Sequence, residues 1–549
     1  MRSNFYSIIV PIILVLINFA LKIKYVSWPS LAMDEPFSVY YSQFEITTII
    51  NELSKGNNPP LFEIFLHFWT KFFGISEFSV RIPSVIFSSF SIFFLYQICY
   101  KFFNVKTAIL ASVLFTLSNY QLYFAQEARV YPLFMLLTVV SMYQYMKLLT
   151  SSHSKTNSVV YIIVNILLLY SHFFSWFVLF VQAGVLISTY RNKSRELLIF
   201  AKYFGIIILC YLPYVGIFIG RFLDSSNGTW VKPVENLRPL HSFYGSLINE
   251  THVGYTVVLI LSWMILQQYI VHYFKNTLLK SVLIILSTVF VVISLSLRLP
   301  LVPSYLLSFE NNFSSTIEII SFSLFYLAVF VHFLLNKNQS RHQKIVLSWF
   351  FIPCFIMFLS SFYIPMFIDR YLIYCTPAFF ILLSLIVNKF DNKLSFSLSI
   401  MIIVLLVVSF KPLRNNNRDV KTLVAKVKEM KSESKSAVFI CPGYFIETFT
   451  YYYNKSYFKN VKSGIPYKDM VNALQSEHIF LVNDYKTIDS KYKLNDYNKI
   501  IYVDAAADFA YSNNHIKEYF NREFQRKSVS VDSIHVPGIF YIYSYKLQN

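Results

Sequence analysis

Stretches of close to twenty apolar residues recur along this chain of 549 residues. That recurrence limits its fold more than any other feature. A helix of about 20 apolar residues crosses the hydrocarbon core of a bilayer. The first stretch runs from Tyr6 to Ile23 and ends beside Lys22, Lys24 and Trp28. It is longer than a signal-peptide core and reads as a signal anchor that stays. Further stretches follow at 82–100, 107–123, 131–149, 158–172, 174–190, 199–219, 254–273, 281–298, 317–335, 345–364, 371–388 and 394–410, thirteen in all. The pair 158–172 and 174–190 is short and also reads as one long helix, which would invert everything downstream. Strands of a membrane barrel would show about 10 alternating residues each, a pattern absent here. The chain is therefore expected to be a multi-span α-helical membrane protein with about thirteen transmembrane helices.

Composition agrees. Charged residues make up 14% of the chain, against about 25% in soluble domains. The net charge of +19 would suggest nucleic acid in a soluble protein. Here Lys and Arg gather in short loops between apolar stretches, as the positive-inside rule requires, so no nucleic-acid partner is expected. Of the five cysteines, Cys99, Cys210, Cys354 and Cys375 lie in apolar stretches and only Cys441 does not. There is no CxxC, so neither a disulfide framework nor a cysteine zinc site is expected.

With the N-terminus in the cytoplasm, residues 1–410 hold 15 Asp and Glu, and all but Glu196 and Asp391 fall on the outer side. Acidic residues carry little topological weight, so this bias marks a functional outer surface. The outer loop 25–81 holds two amphipathic helix candidates, near 45–54 and 60–73, separated by Gly56-Asn57-Asn58-Pro59-Pro60. That sequence breaks any helix. Long outer loops also run from Gly220 to Gly254 and from Leu299 to Thr316. After Phe410 no stretch spans. Residues 411–549 carry β-rich runs at Ala437–Cys441, His478–Val482, Lys499–Val503, Ser528–Ile534 and Ile539–Tyr545, with helical patterns between. The expected organisation is a transmembrane domain over 1–410 and an extracytoplasmic α/β domain over 411–549. No GxGxxG or P-loop supports a nucleotide site.

Three charged clusters fall on the outer face. Asp34 and Glu35 stand just after the first span, and such a carboxylate near a low-dielectric interface suits a base; a solvated loop pair is the plainer reading. Glu127 and Arg129 lie in Gln126-Glu127-Ala128-Arg129-Val130-Tyr131-Pro132, a tight outer turn. Asp369 and Arg370 open the twelfth span, where an arginine can hold phosphate with a bidentate fork or pair with its neighbour. His172 ends the fifth span on the same side. With Glu127 and the Asp34 pair it is a candidate for a divalent metal site, or else a hydrogen-bonded histidine. Ionisable residues beside spans that otherwise exclude charge point to function. The outer face has no nucleotide sugars, so a reaction there must draw its activated group from a membrane carrier.

The chain resembles the GT-C glycosyltransferases that use polyprenyl-phosphate sugars, including the protein O-mannosyltransferases and the aminoarabinose–lipid A transferases. The resemblance rests on Met33-Asp34-Glu35, Asn58-Pro59-Pro60-Leu61 through Trp69, Phe73-Gly74-Ile75-Ser76-Glu77, Arg81-Ile82-Pro83-Ser84, Gln126 to Tyr131 and Asp369-Arg370-Tyr371. It implies that Asp34 is the catalytic carboxylate and Glu35 its supporting partner. Glu127, Arg129 and Tyr131 would line the donor site, with Asp369 and Arg370 at the donor phosphate. The lipid A branch carries Glu-Lys before its Pro-Pro, where Asn57-Asn58 stand here.

The expected function is transfer of a sugar from a polyprenyl phosphate to a glycan, lipid or protein acceptor on the outer face of the inner or plasma membrane. Asp34 would act as base in an inverting displacement. No cofactor is required, and a divalent metal is an option at Glu127 and His172. Two other classes stay open on the sequence: a lipid or glycan flippase or transporter, and a non-catalytic membrane assembly subunit. The absence of an internal repeat and of a broken-helix pair argues against the transporter.

Overall fold

The structure is a computed structural model. It describes residues 5–296 and 340–546, apart from 57, 151–153, 192, 227–230, 250, 274, 432–434, 512, 526–529 and 537. Eight described helices are long and apolar enough to cross a membrane, and one further pair, Val105–Thr116 and Asn119–Ala125, bends by 63° at its break. Three shorter apolar helices, Lys155–Leu169, Thr256–His272 and Thr277–Val289, fill other expected positions. The protein is thus a multi-pass helical membrane protein. A helix stands at each of the thirteen expected positions except 317–335, which lies outside the described residues, as does the expected outer loop 299–316. The doubtful pair is two helices: Lys155–Leu169 ends at a turn, and Phe173–Tyr190 begins after it.

The first helix, α1 (Val10–Ile23), packs along α4 (Glu77–Phe102). Its inner face carries polar groups that find partners on α4: Asn18 Nδ2 donates to Ser89 Oγ at 3.0 Å, and Lys22 Nζ donates to Ser88 Oγ at 2.8 Å. Between them the chain forms the short α2 (Glu35–Tyr41), a helix over Ile46–Leu53, and α3 (Leu61–Phe73). These last two helices end and begin on either side of the break that the sequence places between them. α4 starts cleanly because Ser76 caps it, accepting from the Ser79 N–H at 3.2 Å. Pro83 lies inside α4 and has no N–H to give to the Ser79 carbonyl; that carbonyl accepts from Trp69 Nε1 at 2.9 Å instead. α5 (Tyr131–Thr150) follows the tight turn that carries Glu127 and Arg129 and packs on α4.

The C-terminal region forms a five-stranded sheet in the order β2-β1-β3-β5-β4, with β1 (Ser436–Cys441), β2 (Ile479–Leu481), β3 (Lys499–Asp504), β4 (Ser530–Val536) and β5 (Phe540–Lys546). β1 pairs in parallel with β2 and β3, while β5 runs antiparallel to β3 and β4. The strands fall on the β-rich runs of the sequence. β1 is buried along its whole length, as a strand covered on both faces must be. Val438, Ile440, Ile501 and Val503 join the large core shared with the membrane helices. Phe439, Cys441, Ile500 and Tyr502 point to a second, smaller cluster on the opposite face. Alternation along the strands sends successive side chains to the two faces.

One helix of this region, α6 (Ile446–Tyr453), packs on α2. Its Tyr451 hydroxyl donates to the Ile75 carbonyl at 2.7 Å. The Tyr452 hydroxyl accepts from the Leu31 N–H at 2.5 Å and donates to Glu77 Oε1 at 3.1 Å. Lys421 Nζ lies 3.2 Å from Glu77, and Asn416 Nδ2 donates to the Ser30 carbonyl at 2.9 Å. The C-terminal region is therefore bolted to the loop that carries Asp34.

Candidate active site

Asp34 and Glu35 are adjacent in sequence yet face opposite surroundings. Asp34 is the N-cap of α2, reached through Met33 at φ 58°, and Pro36 stands in the first turn. A left-handed residue other than glycine carries strain that the surrounding contacts must hold. Successive residues entering a helix point about 100° apart, so one carboxylate can be buried while the other looks out.

Glu35 is fully buried. Arg81 grips it with a two-pronged fork, Nε to Oε1 at 2.7 Å and Nη2 to Oε2 at 2.8 Å. The Ala128 N–H donates to Oε1 at 2.9 Å, and Arg414 Nη1 lies 3.3 Å from Oε2. Arg81 spends its other N–H groups on the carbonyls of Val26, Pro29 and Ser30 at 2.8–3.0 Å. Burial pushes the Glu35 pKa up, but the two guanidiniums and these hydrogen bonds outweigh it and hold the carboxyl below its ordinary value.

Glu127 belongs to the same cage. Arg414 Nη2 lies 3.5 Å from its Oε1, and Arg414 Nη1 donates to the Gln126 carbonyl at 2.7 Å. The Arg414 guanidinium also sits 4.6 Å from the Tyr123 ring centroid. Burial raises Glu127 to about 6, with Arg414 pulling down and Glu35 pushing up.

Asp34 is open by comparison, with 45% of its side chain exposed. Arg370 Nη1 donates to Oδ2 at 2.9 Å, and Arg129 Nη2 lies 3.9 Å from the same oxygen. Arg129 Nη1 also donates to Ser38 Oγ at 2.6 Å and lies 3.9 Å from Glu63 Oε1. Ser38 Oγ in turn donates to Glu63 at 2.7 Å. Asp369 turns its Oδ1 to the Arg370 N–H at 2.7 Å, and its carbonyl accepts from the Tyr120 hydroxyl at 2.5 Å. Tyr131 is buried between Phe124 and His172, at 5.4 and 6.1 Å between ring centroids. Beside Arg370, Tyr371 lines a cavity of about 550 Å³ whose walls include Phe174, Phe177, Phe180, Phe218 and Phe222.

Asp34, Arg129 and Arg370 come together, as the sequence expects. At Glu127 and His172, where a divalent metal is an option, no group of three or more His, Cys, Asp or Glu side chains that could hold an ion is found among the described residues. Glu127 has a guanidinium as its partner instead. His172 lies flat against Phe134 at 4.7 Å, and its Nδ1 accepts from the Phe174 N–H at 3.2 Å. Sequence reasoning assigns no role to Arg81, Glu63 or Arg414. The available signal was charge next to apolar sequence: Glu63 is the one acidic residue in Leu61–Phe73, and Arg414 stands just past the last apolar stretch.

Residues 57–216 match the family model of the dolichyl-phosphate-mannose-protein mannosyltransferases. No curated protein sequence matches the chain. Among solved structures, ArnT from Cupriavidus metallidurans in the apo state is similar at 8% identity and a TM-score of 0.44, with 97% of each chain covered. The Archaeoglobus fulgidus oligosaccharyltransferase in complex with Zn and sulfate is similar at 11% identity and a TM-score of 0.48, with 97% of this chain and 72% of that chain covered. The family match spans the stretch that supplies Glu63, Arg81, Glu127, Arg129 and His172. Over that stretch the match agrees with the resemblance to the GT-C glycosyltransferases.

Proposed function

We propose that the protein transfers a sugar from a polyprenyl phosphate to an acceptor hydroxyl or amine on the extracytoplasmic face, with Asp34 as the general base. One observation carries this reading. A half-exposed carboxylate is bracketed by two guanidiniums, at 2.9 and 3.9 Å, and one of these, Arg370, lies 5.7 Å from the ring of Tyr371, which lines an aromatic cavity. The cavity suits an apolar lipid tail, and the arginines beside it suit the phosphate to which that tail is joined. The family matched over residues 57–216 is named for a donor of this kind.

In the proposed reaction the acceptor oxygen or nitrogen attacks the anomeric carbon and gives its proton to Asp34. The bond from that carbon to the phosphate oxygen breaks. The departing phosphate keeps the electron pair, and Arg129 and Arg370 stabilise its charge, the contribution that usually dominates such catalysis. A single displacement inverts the anomeric carbon. Glu35 does not exchange protons in this scheme. It is the anchor that fixes the start of α2, and so the position of Asp34. Arg414 carries the C-terminal region into the same anchor, which makes that region part of the site's frame. Localisation in the inner or plasma membrane, with a glycan, lipid or protein acceptor, belongs to the same proposal.

The test is transfer of labelled sugar from synthetic polyprenyl-phosphate donors to envelope extract by the purified protein in detergent. Transfer by the wild type with inversion at the anomeric carbon supports the proposal. Transfer with retention contradicts the single displacement. Lipid translocation without transfer would make the protein a flippase.

A further inference from the structure

Five polar atoms around the N-terminal end of α3 are buried and have no hydrogen-bond partner. They are Asn58 Oδ1, Glu63 Oε2, Arg129 Nε, His172 Nε2 and Tyr214 Oη. Four of the five side chains are more than nine-tenths buried. They come from separate parts of the fold that meet here. The Leu61 N–H donates to the Tyr170 carbonyl at 3.3 Å, which ties α3 to the stretch that ends in His172. The Tyr170 ring lies 5.7 Å from that of Tyr214, and the Glu63 carboxyl is close enough to act electrostatically on the Tyr214 hydroxyl. Arg129 lies 3.9 Å from Glu63 and acts electrostatically on His172. Buried polar groups are ordinarily paired, so five orphans on elements that meet one another call for an occupant.

The hydrogen-bonding character of the set is mixed. Asn58 Oδ1 and Glu63 Oε2 accept. Arg129 Nε–H donates. His172 accepts the Phe174 N–H at Nδ1, which places the proton of its neutral ring on Nε2, a donor. Burial, with Arg129 and Arg370 nearby, lowers the His172 pKa to about 3 and keeps the ring neutral. Tyr214 can do either. Two acceptors, two donors and one ambivalent group match adjacent hydroxyls, each of which donates once and accepts. They match a cation poorly, because two of the five present protons and one of those belongs to a guanidinium.

We infer that this cluster is the subsite for the donor's sugar ring, binding a pair of its hydroxyls, with Glu63 and Tyr214 as specificity-determining residues. The inference rests on the proposed polyprenyl-phosphate donor and names the part of it that this pocket reads. Arg129 joins the two halves: Nη2 faces Asp34, and Nε faces the subsite.

The experiment compares binding of decaprenyl phosphate, which has no sugar, with binding of decaprenyl-phosphate hexose, N-acetylhexosamine and aminopentose, all to the full-length protein in nanodiscs. The wild type is expected to prefer at least one sugar-bearing lipid over the bare one. Glu63→Gln and Tyr214→Phe should each reduce that preference about tenfold, the worth of one hydrogen bond to a buried partner, and leave affinity for decaprenyl phosphate unchanged. Tyr214→Phe lies on a different helix from Glu63 and removes a single oxygen, so it stays informative if Glu63→Gln folds poorly. Equal losses for bare and sugar-bearing lipids would make Glu63 a structural support for Arg129 and overturn the subsite. So would unchanged preference in both variants, which leaves the cluster to bound water, and so would binding that depends on added Zn²⁺ or Mn²⁺ and is abolished by chelation. A wild type that binds bare decaprenyl phosphate but gains nothing from any of the sugars also overturns it. Failure to bind any of these lipids would instead remove the proposed donor.

Discussion

Asp34 and Glu35 share a peptide bond and differ in almost everything else. Glu35 has no exposed surface and is gripped by Arg81, Arg414 and a backbone N–H. Asp34 keeps 45% of its side chain open and meets the guanidiniums of Arg370 and Arg129. A buried pair gains little net stability from its own attraction, but removing one partner leaves an uncompensated charge. A half-exposed pair gains less and can be rearranged, since water competes for each end. Of the two carboxylates, then, the inner one holds the structure and the outer one is available for chemistry. The same division sorts the arginines, with Arg81 and Arg414 inside and Arg129 and Arg370 at the opening.

The largest expected effect comes from breaking the inner side. Arg81→Ala abandons Glu35 and three backbone carbonyls, and it should cost about 3–5 kcal/mol of stability, read as a fall in melting temperature of the detergent-solubilised protein. If Arg81→Ala melts like the wild type, Glu35 is not an anchor. Glu35→Gln should show up as lost stability ahead of lost chemistry, the reverse of what a supporting acid near Asp34 would give.

Arg414→Gln should cost less, about 1.5–3 kcal/mol for charge-assisted hydrogen bonds. It should also loosen the C-terminal region, making residues after 414 more open to limited proteolysis while the membrane helices stay protected. Unchanged proteolysis would show that the Tyr451 and Tyr452 contacts suffice without it.

On the outer side, Arg370→Ala should leave melting almost unchanged and weaken donor binding by about 1.5–3 kcal/mol. Arg370→Lys should weaken it less, because it keeps the charge and loses only the planar fork. Equal donor affinity in Arg370→Ala and wild type would make Arg370 only a partner for Asp34.

The smallest effect is a pH dependence inside the cage. The folded pKa of Glu127, about 6, lies above its ordinary value of 4.5. The folded protein therefore holds this proton more tightly than the unfolded chain does. That contribution is fully present below pH 4.5 and is lost as pH rises through 6, by about 2 kcal/mol. Glu35 works in the opposite sense: its lowered pKa adds stability above the ordinary glutamate value that disappears in acid. Glu127→Gln should flatten the decline between pH 4.5 and 7 in melting curves. An unaltered decline would mean that another group titrates there.

Much of this was legible in the sequence, for identifiable reasons. Spans and strands announce themselves through period and length, and the Gly56–Pro60 break through turn chemistry. Asp34, Arg129 and Arg370 stood out as charges beside apolar spans. What stayed hidden depends on contacts distant in sequence. Arg414 lies 379 positions after Glu35, and nothing near either residue names the other. Arg81 was visible inside its motif, but its fork around Glu35 joins residues 46 positions apart. Glu63 reads locally as one charge on an amphipathic helix, where exposure is the default; only the fold turns it inward. Glu127 stands two positions before Arg129, and nothing near it in sequence shows that Arg414 arrives from the other side.

The central claim is that the exposed partner of this carboxylate pair does the chemistry. Asp34→Asn nearly preserves shape and removes the proton acceptor, so the direct measurement is its rate of sugar transfer from a polyprenyl-phosphate donor, beside the wild type, with melting temperature recorded on the same samples. The account predicts a loss of about 10²–10⁴-fold, the usual worth of a general base, with melting within a few degrees of the wild type. Transfer at the full wild-type rate would contradict it.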